Sequence, residues 1–130
     1  MAILSKLLIV DDDKDFIEVL ATKFKASGFE VFTAYDGEEG VQKAKELVPD
    51  LILMDVKMPK MDGVAAMLKI REDASTKNIK VILLTAFGDL QPEIYKNDQR
   101  FAKELGAFEY LLKSEDLDEI VLKTRAFLAK

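Results

Sequence analysis

Five short apolar runs, four of them followed by a stretch of helical period, constrain this chain more than any other feature. The runs are Lys6–Val10, Glu30–Ala34, Leu51–Met54, Lys80–Leu84 and Glu109–Leu112. The first, third and fourth are nearly continuous in Leu, Ile and Val, the pattern of parallel strands covered on both faces. Between them, apolar residues recur at helical spacing. Phe16, Ile17, Val19, Leu20 and Phe24 form one stripe, and Val41, Ala44 and Leu47 a second. Val64, Met67, Leu68 and Ile70 form a third, and Leu117, Ile120, Val121, Phe127 and Leu128 the last. Gly28, Gly37, Pro49, Gly63 and Gly106 punctuate the element borders. The alternation βαβαβαβαβα predicts a doubly wound parallel sheet with helices on both faces. One segment resists the pattern. Phe87 to Asp98 has weak periodicity, a Gly and a Pro. It is expected to be irregular through about Gln91, with helical turns starting at Pro92 or near Asp98.

A chain of 130 residues with 49% apolar content suits one domain with one core. No apolar run approaches the roughly 20 residues of a membrane span. The first run is short and carries Lys6, so it reads as a strand, not as a signal peptide. The expectation is a cytoplasmic protein without a membrane partner. A net charge of −5 argues against a nucleic-acid partner, which would call for a basic face, and leaves a basic protein partner open. The absence of Cys and His removes thiol nucleophiles, imidazole bases and the usual zinc ligands. Any bound metal would take oxygen ligands, which points to magnesium, calcium or manganese.

Polar residues gather where the runs end. The first ends at Asp11, Asp12 and Asp13, the third at Asp55, the fourth at Thr85 and the fifth at Lys113. In a doubly wound sheet the ligand crevice lies beyond the carboxyl ends of the strands. A five-stranded, flavodoxin-like order of 2-1-3-4-5 makes these ends converge. Carboxylates crowded there repel one another and stay ionised only with a cation among them. A hard divalent ion that keeps some of its waters, Mg2+, suits that set. A metal, an ammonium and a hydroxyl around one carboxylate suit phosphoryl transfer, with Asp55 as nucleophile. Asp13 reads as a first-turn helix acid. Met54, Met58, Met61 and Met67 read as core residues, and Lys57 and Lys60 as solvated side chains.

The segments "LLIVDDD", "LILMDVKMPKMDG", "VILLTAF" and "EYLLKS", in this order and each at a strand end, resemble the marks of response-regulator receiver domains. The likeness runs from Lys6 to Lys130, which implies a single receiver domain over 1–130 with no appended output domain. It also implies roles. Asp55 would be the phosphoacceptor, Asp12 a direct Mg2+ ligand, and Asp11 a ligand acting mainly through water. The backbone carbonyl of Lys57 would also reach the metal. Thr85 and Lys113 would engage the phosphoryl group, and Tyr110 would be the switching aromatic. The donor would be a phosphohistidine on a sensor histidine kinase or a histidine phosphotransfer protein. A downstream protein would read the face made by the fifth strand and the helix before it. The chain would be a signalling switch or relay and not an enzyme acting on a separate substrate.

Two departures accompany the resemblance. Ser114 stands where the family usually has a proline joined by a cis bond. The 21 residues from Thr85 to Gly106 are several more than expected, and they fall beside the partner surface. Both features favour a rival reading, a receiver-like interaction module that works without phosphorylation. A small-molecule aspartyl-phosphate phosphatase is a further rival, but it would carry a second aspartate where Lys57 stands. Finally, Phe87, two residues past Thr85, is expected over the mouth of the site. There an apolar ring would exclude water in line with the Asp55–phosphorus bond and prolong a phosphoaspartate, unless the irregular segment turns it into the core.

Overall fold

In the computed structural model, residues 4–86 and 106–130 are described below. Five parallel strands form one sheet in the order β2-β1-β3-β4-β5. They are β1 (Lys6–Val10), β2 (Glu30–Ala34), β3 (Leu51–Asp55), β4 (Lys80–Thr85) and β5 (Glu109–Leu112). Four helices are described: α1 (Lys14–Ala26), α2 (Gly37–Leu47), α3 (Gly63–Glu72) and α4 (Leu117–Leu128). The strands match the apolar runs, except that β3 and β4 each extend one residue further, to Asp55 and Thr85. The irregular stretch and the helix expected between β4 and β5 lie outside the described residues.

Strand alternation divides the core in two. Leu8, Val10, Ile52, Met54, Val81 and Leu83 face α2 and α3, where Ala44, Ala66, Met67 and Ile70 meet them. Leu7, Ile9, Leu51, Leu53, Ile82, Leu84 and Leu111 face α1 and α4, against Ile17, Leu20, Phe24, Ile120 and Val121. Burial on both sides is the reason these strands carry continuous apolar runs. The expected stripes need two corrections. Val19 is 52% exposed and Leu68 44% exposed. The buried faces are Ile17, Leu20, Ala21, Phe24 and Gly63, Ala66, Met67, Ile70, which follow i, i+3, i+4, i+7. Val19 and Leu68 fall between those steps, so the helix turns them outward. The four methionines belong to the first core, with Met54 and Met67 fully buried and Met58 and Met61 against its edge.

Each described helix starts after an aspartate: Asp13, Asp36, Asp62 and Asp116. In the first three the carboxylate accepts a hydrogen bond from the backbone N–H three residues on. Basic side chains meet the opposite ends of α1 and α4, and another reaches out from the end of α3. Arg71 donates to the carbonyls of Lys77, Ile79 and Gly106, which ties the end of α3 to the approaches of both β4 and β5. The Lys80 ammonium donates to the carbonyls of Phe127, Leu128 and Lys130. Arg125 donates to the Ser27 carbonyl at the end of α1.

The loop after β3 closes on its own strand. Gly63 N–H donates to the Val56 carbonyl at 2.7 Å. A Cβ on Gly63 would lie 1.9 Å from the carbonyl oxygen of Asp55, a backbone atom with no room to move. Gly28 has a different requirement: its φ is +95° and nothing lies within 4 Å of a Cβ placed there. Gly63→Ala is therefore expected to lower unfolding free energy by about 2 kcal/mol or more, through a forced shift of the loop. Gly28→Ala should cost only about 1 kcal/mol of backbone strain. Urea denaturation of the two variants checks the ranking, and the reverse order would contradict this account of the loop.

Candidate functional site

Register brings the polar strand ends together. Val10 is opposite Met54, so Asp11 and Asp55 follow side by side at the carboxyl edge. Asp55 is opposite Leu84, and Thr85 is opposite Leu112, so Thr85 and then Lys113 each stand one step further along. Alternation assigns the faces. Asp11, Asp55 and Lys113 continue the face toward α1 and α4. Thr85 continues the opposite face, with Val81, Leu83 and Tyr110.

The three consecutive aspartates divide the work. Asp11 is fully buried, and its N–H donates to the Ala34 carbonyl. One carboxylate oxygen accepts from Asp13 N–H at 3.0 Å. The other lies 2.7 Å from the Lys113 ammonium, an ion pair outside hydrogen-bond alignment. Asp13 caps α1 by accepting from Phe16 N–H at 3.1 Å, which is a helix-start role as expected. Asp12 is exposed. Asp11, Asp12 and Asp55 each offer a carboxylate oxygen within 4.8 Å of the others. That is a donor set for a hard divalent cation, with the exposed side at Asp12 left for water.

Asp55 is 3% exposed and lies 3.6 Å from the Lys113 ammonium. Burial raises its carboxyl to about 7; the charge of Asp11 adds to the rise, the Lys113 ammonium opposes it, and Asp12 contributes a last push. Burial draws the Lys113 ammonium down, but Asp11 and then Asp55 outweigh it and leave it raised. Lys113 N–H donates to the Thr85 carbonyl at 2.8 Å, and the bond on to Ser114 is trans. The ammonium also sits 4.7 Å from the centre of the Phe16 ring. The sequence pattern assigned Phe16 to the core stripe, and periodicity carries no signal for that second contact.

Of the expected site residues, the structure gathers Asp11, Asp12, Asp55 and Lys113. Thr85 is buried at the same edge, and Tyr110 is half-buried on the Thr85 face. Lys57 and Lys60 are exposed, as expected, and Lys60 has a φ of +67°. Phe87 lies outside the described residues.

An α/β sheet with a carboxylate at the centre of its carboxyl edge, a flanking acid cluster and a lysine defines a class of signalling domains. The chain belongs to that class: it matches the response regulator receiver domain family over residues 7–125. It is 35% identical over 125 residues to the DNA-binding dual master transcriptional regulator RpaA of Synechocystis, which covers 96% of this chain and 49% of that protein. This chain thus spans about half the length of that regulator. The chemotaxis protein CheY4 of Vibrio cholerae superposes with a TM-score of 0.83 at 26% identity, over 96% of this chain and 99% of that one. The receiver domain of the sensor histidine kinase PA1611 from Pseudomonas aeruginosa, solved with a magnesium ion coordinated in its active site cleft, also scores 0.83 at 26% identity. It covers 98% of this chain and 100% of that one. No described helix is long and apolar enough to cross a membrane.

The Asp55 shift fixes a dependence on pH. Folded Asp55 holds its proton up to about pH 7, against an ordinary value of 3.8. Its contribution to stability is full below the ordinary value and is lost as pH rises through about 7. In the absence of divalent ions, wild type should therefore lose stability relative to Asp55→Asn across that window. The variant should be the more stable above it, by up to roughly 4 kcal/mol at 1.36 kcal/mol per unit. Denaturation of both proteins across pH tests this, and a gap that does not change with pH would refute it.

Proposed function

We propose that this receiver accepts a phosphoryl group on Asp55 from a phosphohistidine of a partner protein, in the presence of Mg2+, and acts as a cytoplasmic switch or relay. One observation carries the reading. In a member of the receiver family, Asp55 is the buried carboxylate at the centre of the strand ends, flanked by Asp11 and Asp12 and faced by the Lys113 ammonium. The Mg2+ assignment is supported by the oxygen-only donor set and by the burial and the Asp11 charge that raise Asp55. Asp11, Asp12 and Asp55 would hold the ion, joined by the backbone carbonyl of Lys57. When bound, it would supply positive charge against the carboxylates and the phosphoryl oxygens.

In this reading a carboxylate oxygen of Asp55 attacks phosphorus, the P–N bond to the donor imidazole breaks, and the imidazole leaves with its electron pair. Lys113, one step beyond Thr85 in the register, pairs with a phosphoryl oxygen. The Thr85 hydroxyl engages another, and Tyr110, on the same face of the sheet, responds to its movement. A charge placed at one point thereby biases a surface element, as in other phosphorylation switches. Water or a second histidine later removes the group.

Incubation with acetyl phosphate and magnesium should add one phosphoryl mass, and Asp55→Asn should remove that gain. Magnesium alone should raise the melting temperature by linkage, and Asp12→Ala should abolish most of the rise. Label that persists in Asp55→Asn would sink the assignment. A wild type that takes no label while it binds its protein partners would support the phosphorylation-independent module instead.

A further inference from the structure

Lys113 carries its ammonium on a four-carbon stem from the end of β5. The backbone there is fixed by the bond from Lys113 N–H to Thr85, and exposed Ser114 imposes no ring constraint on the chain that follows. The stem alone cannot aim the charge. Among the described residues, the ammonium meets the Asp11 carboxylate at 2.7 Å, Asp55 at 3.6 Å and the Phe16 ring at 4.7 Å from its centre. Phe16 is itself held in the first turn of α1 by the Asp13 cap and by contact with the apolar core beneath it.

The neighbours differ in kind. A carboxylate attracts the ammonium and also takes up its hydrogen-bonding capacity. An aromatic face attracts the charge through its quadrupole and leaves the N–H groups free for oxygen acceptors. A lysine that must exchange a carboxylate for a phosphoryl oxygen needs a holder of the second kind, one that keeps the charge in place while its partners change.

We propose that Phe16 is a positioning residue that holds the Lys113 ammonium over Asp55 through its ring face during phosphoryl transfer. The proposal rests on the reading of Asp55 as phosphoacceptor. It assigns Phe16 a task that an apolar residue of similar size cannot perform.

The test compares wild type with Phe16→Leu, Phe16→Tyr, Lys113→Met and the double variant Phe16→Leu/Lys113→Met. Lysine labelled with carbon-13 gives the first readout. The Lys113 ε-methylene protons should be shifted upfield by the ring in wild type and Phe16→Tyr, and should return to the ordinary lysine position in Phe16→Leu. The second readout is the initial rate of phosphorylation by acetyl phosphate with magnesium. Phe16→Leu should slow it by about three- to tenfold, the range a cation–π contact supplies, and Phe16→Tyr should stay near wild type. In the Lys113→Met background, Phe16→Leu should change nothing further, because the two residues act as a unit. An unshifted Lys113 signal in wild type, or an equal slowing in the Lys113→Met background, would overturn the proposal and leave Phe16 a core residue. A wild type that takes no phosphoryl group would overturn the phosphoacceptor reading itself, and the lysine signal would still report separately on the contact.

Discussion

Two carboxylates forced side by side in a buried cleft set the terms for everything around them. The ladder gives Asp11 and Asp55 no choice, since both follow a paired Val10 and Met54. Two charges less than 4.8 Å apart repel by about 3–4 kcal/mol at an effective dielectric of about 20. The Lys113 ammonium beside both is the compensation the fold supplies. Burial first, and then the charge of Asp11, still hold the Asp55 carboxyl well above the ordinary carboxylate range against it. In the proposed reading a cation would complete the compensation, and the crowding that calls for it is a property of the sheet register.

In the proposed reading, alternation along the strands separates chemistry from response. Asp11, Asp55 and Lys113 lie on the face toward α1 and α4, and Thr85 and Tyr110 on the face toward α2 and α3. A residue at the end of β4 is thus one strand away from the acceptor and already on the opposite side of the sheet. In that reading an event at Asp55 would be registered across the sheet without any rearrangement of the strands themselves, whose buried side chains are close-packed on both sides.

Much of this was legible in the sequence, for identifiable reasons. The strands were legible because burial on both faces leaves no polar alternation to confuse the pattern, and β3 and β4 differ from expectation only by the polar residue that ends each. The site was legible because parallel strands deliver their ends to one edge, so Asp11, Asp12, Asp55, Thr85 and Lys113 could be gathered by topology alone. What stayed hidden depends on where long side chains reach. Nothing in the spacing of Lys113 says that its ammonium crosses to Asp11 on β1. Period also cannot show that Phe16 serves the core with one part of its surface and Lys113 with another. Val19 and Leu68 were misread because an apolar residue one step off a helical stripe looks, in sequence, like part of it. Arg71 gave no sign that it binds three carbonyls, since a basic residue in a last turn ordinarily reads as solvated.

Those helix ends have a wider consequence. Among the described residues, aspartates stand at the start of every helix and basic side chains meet the carbonyls at the end of α1, α2 and α4. Each pairing offsets the partial charge of one helix terminus. The described helices run against the strands, so the pairings add: the capping aspartates lie at the edge that holds Asp55 and the bases that meet the helix ends at the far edge. Within the last ~10 Å of an encounter, where salt no longer screens them, these ordered charges would exert a torque, turning a basic body toward the capped helix ends before any surface touches.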